Sequence, residues 1–339
     1  MKKIPVETAI GTILCHDITQ IIPGKFKGRA FKKGHIITEE DVPVLLSLGK
    51  DNIYVWEKKE GYLHENEAAD RLSKAAGEGI YLSDVKEGKI NFIANMDGIL
   101  KIDTDRLLEI NSINEIILAT IHNNYPVKKN QKLAGTRVIP LIIEEEKIVK
   151  AEDVIGEKPI IKVIPYKKSK VGIVTTGNEV YHNRIEDKFG PVVRSKVLEY
   201  GCEVVDSRIV PDDSDKITQS IEELIEMGCE LIICTGGMSV DPDDLTPLGI
   251  RKTGAEIISY GAPVLPGAML LVAYKDEVPI LGLPGCGMYC KTTSFDLFLP
   301  RVLAGDKINH RDIAACGHGG FCMSCDECRY PDCSFGKGW

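Results

Sequence analysis

The chain reads as an α/β protein. Residues 169–306 are predicted to form a mostly parallel, three-layer sheet domain. A β-rich α+β region precedes it and a short cysteine-rich tail follows. Three observations predict this. After Lys170, apolar runs of strand length alternate with segments of helical period, the pattern of strand–helix–strand units. From Gly79 to about Ile164, short apolar runs are instead separated by turn residues. Finally, polar loops follow successive apolar strands in the second half, where open α/β sheets hold ligands. The divisions expected are 1–62, 63–168, 169–306 and 307–339.

Composition narrows the function. At 339 residues there is room for two or three domains. A net charge of -8 argues against wholesale nucleic-acid binding, so an anionic ligand has to be held locally. No apolar run approaches the ~18–20 residues that a membrane span needs. The opening Met1-Lys-Lys-Ile-Pro lacks the continuous apolar region of a signal peptide, and the expected location is cytoplasmic. Of 11 cysteines, five crowd the last 24 residues; an odd count without a secretion signal argues against a disulfide framework.

Taken in order, Thr38 with Asp41 three residues on predicts a capped helix through Leu48-Gly49. Asn52–Trp56 reads as a strand, and His35 as a satisfied turn residue. His64–Ala76 reads as a helix with Glu65 and Glu67 in its first turn. A helix is expected around Asp105–Ile110, and Glu144-Glu-Glu-Lys147 as a solvated face or turn. Pro165–Lys170 reads as a linker. Beyond it come strand Val171–Thr175, helix Pro191–Tyr200, strand Glu203–Val210 and a helix capped at Asp212-Asp213-Ser214. The buried strand Leu231–Cys234, a pair of strands within 269–281 and a last helix from about Met288 to Leu303 complete the domain.

Four loops follow these strands: Thr175–Glu179, Val210–Asp213, Thr235–Asp244 and Gly282–Gly285. Glycines at strand ends let backbone N–H groups approach an anion. Carboxylates just beyond them, Asp241, Asp243 and Asp244, point to a metal ion or an activated water. Asp212 and Asp213 read equally well as helix caps.

As an ordered set, Thr176-Gly177-Asn178-Glu179, Asp212-Asp213, Gly236-Gly237-Met238-Ser239 with Asp244, and Leu283-Pro284-Gly285 resemble the molybdopterin-binding domain of molybdenum cofactor biosynthesis proteins. That family includes the molybdopterin molybdenumtransferases and the two ends of gephyrin. The stretch Lys33–Gly49 is similar to the molybdenumtransferase branch, and Asp244-Leu-Thr-Pro247 to the adenylyltransferase branch. The resemblance implies binding of molybdopterin or its adenylylated form, and Mg²⁺-dependent molybdate insertion with AMP release. It implies catalytic roles for Glu179, Asp213 and Asp244. It implies cofactor contacts at Thr176, Gly177, Asn178, Gly236, Gly237, Met238, Ser239, Pro284 and Gly285. It also implies a homo-oligomer, dimer or trimer, and a molybdoenzyme or cofactor-biosynthesis partner. Two departures stand out: Val264-Leu-Pro-Gly-Ala268 lacks the usual lysine, and Leu283-Pro-Gly-Cys-Gly287 replaces Leu-Pro-Gly-Asn-Pro. Cys286 there reads either as a thiolate favoured before a helix or as a small residue filling a turn. A non-catalytic molybdopterin carrier or sensor and a nucleotide-type phosphohydrolase are the alternative functions.

The tail carries Cys316, Cys322, Cys325, Cys328 and Cys333 in the spacing C-x5-C-x2-C-x2-C-x4-C. Thiolates two residues apart can reach one metal. The run suits an iron–sulfur cluster or a Zn²⁺ site, with His318 able to replace one cysteine. A free cysteine-rich tail is the alternative.

Overall fold

The computed structural model describes residues 2–22, 26–55 and 60–338, and these form two compact units. The first unit comprises residues 1–95, 102–121 and 129–163; the second comprises 96–101, 122–128 and 164–339.

In the first unit, Asn52–Val55 pairs antiparallel with Lys2–Pro5; Trp56, expected to extend that strand, lies outside the described residues. Val6, Leu14, Ile18, Ile37, Leu45 and Ile53 form a small core under the hairpin Ile18–Ile22/Phe26–Phe31. The expected capping pair at Thr38 is a turn instead. The Asp41 carboxylate accepts from the Thr38 N–H and hydroxyl, both at 2.8 Å, and pairs with His35 at 2.6 Å. The helix therefore starts at Asp41 and runs to Ser47. A four-stranded antiparallel sheet has the order Ile80–Leu82, Lys89–Ala94, Lys132–Val138, Ile116–Thr120. Its inner face buries Ile90, Phe92, Leu118, Leu133 and Val138. The charge run read as a solvated face or turn opens a helix, Glu145–Ile155, with Glu144 and Glu146 exposed. Ile148, Ala151 and Ile155 supply a buried stripe at helical spacing that begins inside the charged segment, with the acids at the positive end of the helix.

The second unit holds a six-stranded sheet. We label its strands β1 (Lys170–Thr176), β2 (Glu203–Val210), β3 (Leu231–Thr235), β4 (Glu256–Tyr260), β5 (Leu271–Lys275) and β6 (Val278–Gly282). Their spatial order is β2-β1-β3-β6-β5-β4. The β1–β2, β1–β3 and β3–β6 pairs are parallel, and β5 and β4 are added antiparallel. Edge strand β4 has no counterpart in the sequence reading. Side chains alternate across β1. Val171 and Ile173 enter a core with Val193, Val197, Phe295 and Phe298, and Val174 enters another with Ile217, Ile221, Leu224 and Ile250. These cores bring in the helices Phe189–Glu199 and Ser294–Leu303 on one side, and Ser214–Glu226 and Thr246–Lys252 on the other.

Two helix starts differ from expectation. The first helix begins at Phe189, because the Asp187 carboxylate accepts the N–H groups of Phe189 at 2.8 Å and Gly190 at 3.0 Å. The last begins at Ser294, six residues after Met288. A short 3-10 turn, Gly285–Met288, comes first, and the helix nucleates at a capping box between Thr293 and Asp296.

The tail folds back on its own unit. Helix His310–Ala315 is followed by an irregular segment in which Phe335 is buried and Tyr330 packs against the Phe295–Phe298 core. The Tyr330 hydroxyl donates to the Asp296 carbonyl at 3.0 Å. Among the described residues, no helix is long and apolar enough to cross a membrane.

Candidate functional site

The site is built at the carboxyl ends of β1, β2, β3 and β6. The turn after β3 needs glycine. Gly236 has φ +80°, and a Cβ there would lie 2.1 Å from the Thr176 carbonyl oxygen. A Cβ on Gly237 would lie 2.8 Å from the Thr246 hydroxyl and 2.9 Å from that of Thr176. The backbone of the β3 loop thus lies directly against the end of β1.

The two threonines fasten that contact. The Thr246 hydroxyl donates to the Gly236 carbonyl at 2.9 Å. A hydroxyl has one proton, so Thr246 accepts from Thr176, 2.9 Å away. Both side chains are buried. Thr176, expected to donate to a ligand, therefore uses its proton inside the protein. Thr246 escaped the sequence reading; its signal was the Asp244-Leu-Thr-Pro247 match. Met238 also serves packing. It is buried, and a Cβ at Gly282 would meet its sulfur at 2.8 Å. Ser239 is exposed, and the Tyr260 hydroxyl donates to the carbonyls of Met238 at 2.8 Å and Ser239 at 3.1 Å, tying the loop to β4. Around Gly285, which follows Pro284, there is open space: no heavy atom lies within 4 Å of the Cβ position.

The acids divide differently from expectation. Asp213 caps helix Ser214–Glu226, accepting from the Asp215 N–H at 2.9 Å and the Lys216 N–H at 3.1 Å. Those two bonds to the charged form lower its pKa. Its neighbour Asp212 turns toward the loops, accepting from the Asn178 N–H at 2.8 Å. In return the Asn178 side-chain carbonyl accepts from the Asp212 N–H at 3.3 Å. The pKa of Asp212 is raised, first by burial and then by the charges of Glu179, Asp244 and Asp243. Glu179, Asp244 and Asp243 therefore lie close enough to act on the Asp212 charge. Glu179 folds over Gly177, its Oε1 3.1 Å from the glycine's Cβ position. Asp244 is held in its loop by its N–H to the Asp241 carbonyl at 3.0 Å and by the Asp241 N–H to its Oδ2 at 3.3 Å.

Cys286 lies in the short turn after β6, where burial first and Cys290 next raise its pKa, so it stands as a thiol. The tail cysteines are dispersed. Cys316 points its thiol at the Asp312 carbonyl at 3.4 Å, Cys328 lies 3.4 Å from the Thr292 hydroxyl, and Cys325 is exposed. Among the described residues, no group of three or more His, Cys, Asp or Glu side chains is gathered to hold a metal ion. As placed, the tail cysteines do not fit a zinc or iron–sulfur centre.

Glycine loops at parallel strand ends and a buried threonine clasp define an α/β domain whose candidate site lies on the loops after its parallel strands. Residues 172–304 match the family described as probable molybdopterin binding domain. Residues 3–57 match a Domain of unknown function (DUF8806). The molybdopterin molybdenumtransferase of Staphylococcus aureus (strain Mu50) is 26% identical over 191 residues, 53% of this chain and 45% of that protein. In strain MRSA252 the protein of the same name is 30% identical over 146 residues, 41% of this chain and 34% of its own length. The chain spans about half the length, 45%, of the first of these relatives. A solved molybdopterin biosynthesis protein MoeA from Pyrococcus horikosii is 18% identical with a TM-score of 0.35, covering 90% of this chain and 74% of that chain.

Proposed function

We propose that the protein binds molybdopterin, or its adenylylated form, in the loops at the ends of β1, β2, β3 and β6, and takes part in inserting molybdenum. The supporting observation is the electrostatic grouping of Asp212 with Glu179, Asp243 and Asp244 beside the Gly236-Gly237 turn. On this reading the two helix-flanked cores make the domain a three-layer one.

As placed, Asp212, Glu179 and Asp244 are not gathered to hold a metal ion by themselves; Mg²⁺ carried in with the ligand's phosphates would need only one or two of them and would polarise a phosphoanhydride. The chain's own part is positional. The Gly236-Gly237 backbone cradles phosphate oxygens without a side chain in the way. The Thr176–Thr246 clasp fixes the loop, and the open space at Gly285 admits the ligand. Molybdate is the second substrate and AMP the leaving product. A dimer or trimer, a cytoplasmic location and a molybdoenzyme partner belong to the same reading.

A carrier that binds without turnover is the second reading, favoured by the absence of lysine from Val264–Ala268. Incubation with adenylylated molybdopterin, molybdate and Mg²⁺ separates the two. Molybdate-dependent AMP release supports the transferase, binding without release supports the carrier, and failure to bind molybdopterin contradicts both.

A further inference from the structure

The antiparallel sheet of the first unit turns its outer face to a trough of about 450 Å³. Two cross-strand rows floor it. In one row Lys89 stands directly opposite Arg137, which stands opposite Ile117. In the next, Asn91 is opposite Gly135, which is opposite Ala119. Like charges directly opposite on one sheet face repel. Here two cations are set side by side, and a third, Lys132, also lines the trough. Among the described residues none of the three forms an ion pair with a carboxylate within 4.0 Å; the buried Glu65 carboxylate acts on Arg137 at longer range. In a chain of net charge -8, this is a local reversal of sign.

Gly135 weakens a middle strand beside a register shift between Lys132 and Ala134, and a strand glycine accompanies either such a bulge or close approach of a ligand to the backbone. A Cβ at that position would meet Lys89 Cε at 3.3 Å and Asn91 Oδ1 at 3.5 Å, so the glycine leaves a flat backbone floor beside the cation. The Asn91 amide nitrogen is directed to the Ser83 hydroxyl at 3.4 Å, which leaves Oδ1 toward the trough as an acceptor. Ile117 and Ala119 supply exposed apolar surface next to it.

We propose that this trough binds a small organic phosphate of nucleotide size, its phosphate between Lys89 and Arg137 and an amino-bearing ring over Asn91, Gly135 and Ala119. Arginine and lysine together are apt for phosphate, one by its fork of donors and the other as a point charge. The volume falls in the range of small-ligand sites. No aromatic side chain stands in the two rows to stack successive bases, which disfavours a single-stranded nucleic acid.

The test is calorimetric titration of the full chain with ADP in the absence of divalent metal. Saturable binding is expected in the wild type, weakened about tenfold or more by Lys89→Ala and by Arg137→Ala. Lys89→Arg should retain it, and Gly135→Val, which puts a side chain on the floor, should abolish it. Unchanged melting temperatures of the two alanine variants show that folding is not what is lost. Absence of ADP binding, or binding that survives both alanine substitutions because the nucleotide sits at the β3 loop instead, overturns the proposal without touching the molybdopterin reading.

Discussion

Gly236 and Gly237 leave no room for a methyl group, and this has a measurable consequence. Gly236→Ala forces a Cβ onto the Thr176 carbonyl at a positive φ. The expected loss is about 1–3 kcal/mol in denaturant unfolding, together with loss of molybdopterin binding. His64 makes a second residue-scale prediction. Its Nε2 lies 2.8 Å from the Cys15 carbonyl, so that nitrogen carries the proton. Its Nδ1 then accepts from the Asn66 N–H at 3.1 Å, capping helix Glu65–Leu72. Burial first, and the Lys33 charge against the Cys15 bond, hold its pKa below the ordinary 6.5. A depressed value means that the unfolded chain takes up the proton first. The stability is therefore present above pH 6.5 and is lost as pH falls through the folded value. Unfolding measured from pH 8 to 5 should show wild type losing stability where His64→Gln does not; parallel curves would remove His64 as the cause.

At the scale of elements, Asp213 caps its helix, whereas Asp212 accepts from Asn178 in the loop after β1. Asp213→Ala should lower the melting temperature through the lost cap, and Asp213→Ser should restore most of it. This division was not legible in the sequence. Asp212 and Asp213 are chemically identical neighbours, and only the point at which the helix starts decides which carboxylate turns inward. The loops themselves were legible, because four apolar strands each ended in glycine, threonine or acid. The break between Met288 and Ser294 was hidden by an apolar pattern that runs through it, and it is set by the Thr293–Asp296 capping box. Likewise the helix Glu145–Ile155 was masked by its own charged first turn.

At the scale of the molecule, the parallel core of the second unit was readable from alternating strands and helices. The tail was not. Its cysteine spacing drew attention to metal, whereas Phe335 and Tyr330 anchor it in the core. Phe335→Ala should destabilise the second unit by about 3–5 kcal/mol, as a large buried ring lost from a packed site does. Small destabilisation would show that the tail is merely draped on the surface. If stoichiometric zinc or iron accompanied anaerobically purified protein, the dispersed cysteines would have to gather from the positions described above.

The central claim is that Asp212, grouped with Glu179 and Asp244, serves molybdenum insertion while Asp213 only caps a helix. AMP release from adenylylated molybdopterin, with molybdate and Mg²⁺, tests it most directly when wild type, Asp212→Asn and Asp213→Ser are compared. Molybdate-dependent release that is lost in Asp212→Asn and kept in Asp213→Ser is the predicted result. Release that survives Asp212→Asn but fails in Asp213→Ser, or no release from wild type, would contradict it.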